Sequence, residues 1–198
     1  MSTTSPITTT QPGLAPMVDR ISVDEYERMV AAGVLDDPRV ELLDGLLVRK
    51  AGKTPPHVIA TKTLGRLLER IVPPGWHIAR EDPVRIPDFH EPEPDLAVVA
   101  GVPEDYRARH PGPGDVALLV EVAESTLDRD RGAKRSAYAG GGIPVYWIVN
   151  LVDRRVEVYS RPAPDGYRTR DDFAPGQDIP VVVAGFEHGR IAASETLP

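Results

Sequence analysis

The run Val116-Ala117-Leu118-Leu119-Val120-Glu121-Val122-Ala123 constrains the fold more than any other stretch. It is apolar at odd and even positions alike, the pattern of a strand in the middle of a sheet covered on both sides. Glu121 interrupts it. A carboxylate among Val and Leu is costly unless something compensates it. A second short apolar run, Leu96-Ala97-Val98-Val99, is introduced by Glu93-Pro94-Asp95. One divalent cation shared by Asp95 and Glu121 would compensate both acids. A buried ion pair is the competing account of Glu121. For Asp95, the competing account is a turn or strand-start residue after proline.

The surrounding pattern places these runs in a mixed α/β domain. Ser22 with Glu25 three residues on forms a capping box, and a helix follows to about Ala32 with Gly33 as its stop. Asp44-Gly45 between Val40–Leu43 and Leu46–Val48 predicts a hairpin, with Glu41 and Leu43 on one face and Leu42 on the other. Pro55-Pro56 precedes a helix over 57–72 with an apolar stripe through Leu64, Leu67, Leu68 and Ile71. Strand pieces are expected at Trp76–Arg80, Val84–Ile86 and Leu96–Ala100, followed by a Pro/Gly-rich loop over 101–115. Ser125 or Thr126 caps a helix running to about Ala139, ended by Gly140-Gly141-Gly142. Val145–Val149 is another buried strand, and strand–helix–strand in that order predicts a crossover. Arg155–Ser160 and Tyr167–Arg170 extend the sheet antiparallel, and Val181–Ala184 adds a last short strand. The fold class read from this is α/β (α+β), a central mixed sheet flanked by helices. Residues 1–20 are expected as a disordered N-terminal tail and 21–198 as one domain.

Composition narrows the chemistry. There is no cysteine, so disulfides, thiolate metal sites and Cys nucleophiles are excluded. No apolar run approaches the roughly 20 residues of a membrane helix, and the Ser/Thr/Pro-rich start does not have the layout of a secretory signal. A cytoplasmic location with no membrane partner is the expectation. A net charge of −7 argues against a broad electrostatic grip on nucleic acid but leaves room for a local basic groove.

Asp95 and Glu121 lie 26 residues apart on separate expected strands; if those strands are neighbours, both carboxylates meet in one site. Glu41 would add a third oxygen ligand from the hairpin. A carboxylate set without Cys suits Mg²⁺ or Mn²⁺. Asp130, Lys134 and Tyr138 follow at i, i+4 and i+8 on one helix face, and Arg129, Arg131 and Arg135 make that helix locally basic. Plainer readings stand beside these. Glu41 facing solvent, His57 as a cap or surface residue, Lys134 as a solvated helix lysine and Asp130 as a first-turn acid are all compatible with the sequence.

Acid-Leu-Leu-Asp-Gly at Glu41–Gly45, His57 opening a helix, Pro94-Asp95, Val120-Glu121-Val122 with Ser125 and Thr126, then Asp130, Lys134, Tyr138 and Tyr146-Trp147-Ile148-Val149 occur in one order. This ordered set resembles the Uma-two restriction endonuclease family of the PD-(D/E)xK nuclease superfamily, over roughly 22–160. The resemblance implies a restriction-endonuclease-like core with αβββαβ order and Mg²⁺-dependent (or Mn²⁺-dependent) phosphodiester hydrolysis. By position it makes Asp95 and Glu121 catalytic metal ligands and Glu41 the additional upstream acid. The superfamily lysine usually sits two residues after the second acid, where this chain has Ala123; in the resembling family it comes from the next helix, the place of Lys134. His57, Ser125, Asp130 and Tyr138 are supporting candidates. Nucleic acid, DNA in particular, is the implied partner, and a homodimer the implied assembly, since two sites cut two strands. A catalytically inactive dimeric nucleic-acid-binding or protein-interaction module of the same fold is the alternative. A carboxylate-pair glycosidase is disfavoured by an aromatic content of 6%.

Overall fold

The architecture is that of a computed structural model, described for residues 19–198 apart from positions 36 and 38. The expected tail therefore lies, through residue 18, outside the described residues. In chain order the elements are α1 (Val23–Ala31), β1 (Val40–Leu43), β2 (Leu46–Arg49), α2 (Pro55–Ile71), β3 (Trp76–Ala79), β4 (Leu96–Ala100) and β5 (Val116–Ala123). A helical segment follows, made of α3 (Leu127–Arg129), a π turn (Asp130–Lys134) and α4 (Arg135–Gly140). Then come β6 (Val145–Asn150), β7 (Arg155–Ala163), β8 (Gly166–Phe173), β9 (Asp178–Val183), β10 (Phe186–Ala192) and α5 (Ala193–Thr196).

Strands β3-β4-β5-β6-β7-β8 form one six-stranded sheet in that order. Only β5 and β6 are parallel, and the helical segment over 127–140 crosses between them. All eight residues of β5 are buried, as a strand apolar on both faces requires. Leu118, Val120 and Val122 join Leu96, Val98, Val145, Trp147 and Val149 on one face. Leu64 and Leu68 of α2 cover that face, together with Ile179, Val181 and Ile191 of the β9–β10 hairpin. Leu119 and Ala123 join Ala97, Val99, Tyr146 and Ile148 on the other face, under Tyr138 of α4. Glu121 follows the same alternation and points to this second face.

Local chemistry sets the flanks. The Ser22–Glu25 capping box is formed, Gly33 stops α1 at φ +67, and the Tyr26 hydroxyl donates to Val40 O at 3.1 Å, tying α1 to β1. Asp44 and Gly45 take φ +55 and +73, the pair of positive angles a type I′ hairpin turn needs. α2 begins at Pro55, two residues before the sequence expectation, because proline suits the first helical positions once Thr54 has capped them.

Four expectations are corrected. Val84–Ile86 is not a strand of the sheet; it makes one isolated bridge, Ile86 to His90. Pro83 and Pro87 bracket it and withhold ladder N–H donors. The final strand is one arm of a hairpin, β9 with β10, and Ala184 sits in its turn at φ +51. The helix after β5 is not a continuous α-helix, because five residues of it wind as a π turn. Nor does Ser125 or Thr126 cap it: the Thr126 hydroxyl donates to Asp130 Oδ2 at 2.6 Å and accepts no backbone N–H.

Candidate active site

The antiparallel register of β4 and β5 pairs Leu96 with Val120. One step further along each strand sets Asp95 beside Glu121. Asp95 precedes the ladder, and its side chain takes the place of a strand carbonyl: Oδ2 accepts the Val122 N–H at 2.8 Å. His57, in the first turn of α2, brings Nε2 to 3.2 Å from the same oxygen. Asp95 and Glu121 are 7% and 5% exposed.

Lys134 ends the π turn and is 3% exposed. Its ammonium lies 2.7 Å from Glu121 Oε1 and 3.3 Å from Glu41 Oε2. The Tyr138 hydroxyl, on α4, donates to the same Glu121 Oε1 at 2.7 Å. Glu41 is fully buried on β1, and its Oε2 accepts the Glu93 N–H at 3.1 Å. The ion pair that competed as an account of Glu121 is thus present, and Lys134 is its cation. It occupies one oxygen of Glu121. Neither Glu41 nor Lys134 is a solvated surface residue, and His57 packs against an acid.

Burial pushes Glu121 up to about 8, against the pull of Lys134 and with the push of Asp130, Asp95 and Glu41. Burial alone would lower Lys134; the facing charges of Glu121, Glu41 and Asp130 outweigh it and hold the ammonium above the ordinary lysine range. Burial would raise Asp95, but the His57 hydrogen bond and charge, the Val122 N–H and Lys134 overcome it and hold that carboxyl below its usual range. Asp130 is raised, mainly by burial, and its Oδ1 meets no hydrogen-bond partner. Ser125 is exposed at the rim of the cleft and engages no described side chain.

Asp95, Glu121 and Lys134 open onto a cleft of about 400 Å³, also lined by Lys50, Lys53 and Arg129. On Glu41, Asp95 and Glu121, one carboxylate oxygen each accepts no hydrogen bond from a described residue: Glu41 Oε1, Asp95 Oδ1 and Glu121 Oε2. Among the described residues, no three His, Asp or Glu side chains gather closely enough to cage a metal by themselves. Mg²⁺ commonly takes one or two carboxylates and completes its octahedron with waters and substrate phosphate. The donor set fits a hard cation in that mode.

Two features of the site escaped the sequence reading. Glu157 on β7 is fully buried and accepts from Arg131 Nε (3.0 Å), Asn150 Nδ2 (2.9 Å) and the Tyr159 hydroxyl (2.7 Å), anchoring the π turn to the sheet. Lys50, at the end of the hairpin, pairs with Glu93. The basic cluster at 129–135 was visible, but nothing in its spacing separates the arginine that clamps Glu157 from its neighbours.

Two acids thus lie side by side on adjacent strands of a mixed α/β protein, and the following helical segment delivers a lysine to them. A model of the family described as "Putative restriction endonuclease" (Uma2) matches residues 23–193, and the chain belongs to that family. Among solved structures it is similar to that of "a putative nuclease belonging to DUF820" from Anabaena variabilis ATCC 29413. That likeness has a TM-score of 0.63 at 16% identity over 89% of this chain and 97% of the other, and it shows the fold. No curated protein matches the chain.

Proposed function

We propose that this protein is a metal-dependent endonuclease that hydrolyses phosphodiester bonds in DNA. Family membership supports nuclease function at the general level. The observation that carries the finer reading is the convergence of Asp95, Glu121 and Lys134 at one cleft, with carboxylate oxygens left unengaged. Asp95 and Glu121 would hold Mg²⁺ or Mn²⁺, and Glu41 would contribute through a bridging water rather than as a third direct ligand. Such an ion polarises a phosphoryl oxygen and lowers the pKa of water.

The chain's own groups supply the rest. His57 and the Val122 N–H fix Asp95 through Oδ2 and leave Oδ1 without a hydrogen-bond partner among the described residues. Lys134 and Tyr138 do the same for Glu121 through Oε1. An ammonium has three N–H donors. Glu121 accepts one, Glu41 lies 3.3 Å away as an ion-pair partner, and a remaining donor can meet an attacking water or a phosphate oxygen as negative charge grows there. Two copies would cut both strands of a duplex. No described helix is long and apolar enough to cross a membrane; a cytoplasmic location belongs to this proposal.

The test is cleavage of plasmid DNA and of an RNA of matched length with Mg²⁺ or Mn²⁺, by wild type, Asp95→Ala and Lys134→Ala. DNA cleavage that both substitutions abolish is the expected result. Equal cleavage by all three proteins would remove the assignment. The inactive-module alternative predicts no calorimetric Mn²⁺ site that depends on Asp95 and Glu121.

A further inference from the structure

Five carboxylates and five cationic side chains line the cleft. A polyanion gains nothing from such a balance unless some of the cations are free to meet it. Four are committed to acids. Arg39 pairs with Asp37 at 2.9 Å, Lys53 with Glu81 at 2.5 Å, Lys134 with Glu121 at 2.7 Å, and Lys50 with Glu93. Arg129 is different. Among the described residues it makes no ion pair. Its Nη1 donates to Arg49 O at 3.2 Å, which fixes the guanidinium against the hairpin. Its Nε is a buried donor with no acceptor. Asp130 feels its charge, but Asp130 Oδ2 is taken by Thr126.

A buried donor left unpaired is destabilising until an acceptor reaches it. The Nε–Nη2 edge of a guanidinium is a two-donor fork matched to a phosphate. Lys134, nearly enclosed and held by two acids, is poorly placed to capture a phosphate arriving from solvent. From this contrast we infer that Arg129 is the residue of the cleft that binds a backbone phosphate of the substrate. It is a binding residue and takes no part in bond breaking. The inference rests on the nuclease reading for the identity of the ligand as nucleic acid.

The experiment measures binding apart from cleavage. Fluorescence anisotropy of a short labelled DNA duplex in EDTA, over a range of salt, compares wild type with Arg129→Gln, Arg129→Lys and Arg168→Gln, a control on the exposed Arg168–Asp165 pair. Arg129→Gln is expected to weaken binding about tenfold and to reduce the slope of log K against log salt by about 1. Arg129→Lys should keep the slope and lose part of the affinity, because the charge remains and the fork is gone. In cleavage, Arg129→Gln should raise KM and leave kcat within about twofold. Unchanged affinity and slope in Arg129→Gln, or a fall in kcat with affinity intact, would overturn the inference, as would wild type that binds no duplex. If Arg129→Gln fails to fold, Arg129→Lys decides: affinity equal to wild type overturns the role of the fork. A protein that binds through Arg129 and never cuts sustains this inference and overturns the nuclease reading. One that cuts with Arg129→Gln unaffected does the reverse.

Discussion

Lys134 Nζ sits 2.7 Å from Oε1 of Glu121, a residue 13 positions earlier in the chain. Both groups are buried, so each compensates the other at a place where either alone would be costly. Lys134→Met should therefore destabilise by about 3–5 kcal/mol, since it strands Glu121 and Glu41 together. Cleavage should fall at least about a hundredfold. Adding Glu121→Gln to the same protein should restore most of the stability and none of the cleavage. Urea unfolding and plasmid nicking separate the two effects.

Asp95→Asn removes the charge and keeps an acceptor for the Val122 N–H. Stability should change by no more than about 1 kcal/mol. Cleavage should drop by about a hundredfold or more, with the heat of Mn²⁺ binding lost in calorimetry. A variant that retains both would show that Asp95 is only a strand-start residue.

Glu91 offers a pH prediction away from the cleft. It is 4% exposed, and burial, then the hydrogen-bonded Glu27 carboxyl and its charge, lift it from an ordinary 4.5 to about 8 against Arg85. Between those values the folded chain holds a proton that the unfolded chain releases. Stability should consequently fall as pH rises from about 4.5 to 8 and level off above that, by an amount on the order of 1–3 kcal/mol. Glu91→Gln should flatten this component. Glu121 is raised into the same window, so the readout is the difference between wild type and Glu91→Gln in urea titrations at several pH values.

Arg131→Ala tests the anchor of the π turn. Glu157 is fully buried and takes two guanidinium donors from Arg131. Without them a charge is left in the sheet, and a loss of about 2–4 kcal/mol is expected by chemical denaturation. Cleavage should also fall, because Lys134 closes the turn that Arg131 pins. Full activity with lowered stability would disconnect the anchor from the lysine.

The central sheet was legible wherever one physical signal ruled. Val116–Ala123 was read to the residue, because a strand apolar on both faces has few alternatives. The pairing of Asp95 with Glu121 followed once β4 and β5 were neighbours. The π turn left no trace, since a local change in hydrogen-bond step alters neither composition nor the apolar stripe carried by Ala137 and Tyr138. Val84 and Ile86 look like strand residues because they are apolar and buried, but Pro83 and Pro87 beside them withhold the N–H donors a ladder needs. The Glu157 cluster joins residues from the helical segment and two strands; 26 positions separate Arg131 from Glu157, and only the folded sheet brings them together.

The route by which the lysine arrives has a consequence for finding relatives. A pattern keyed to an acid and a lysine two places apart on one strand stops at Ala123 and passes this chain over. A query stated in space, an ammonium within 3 Å of a strand carboxylate whatever the intervening length, finds Lys134 and Glu121 at once.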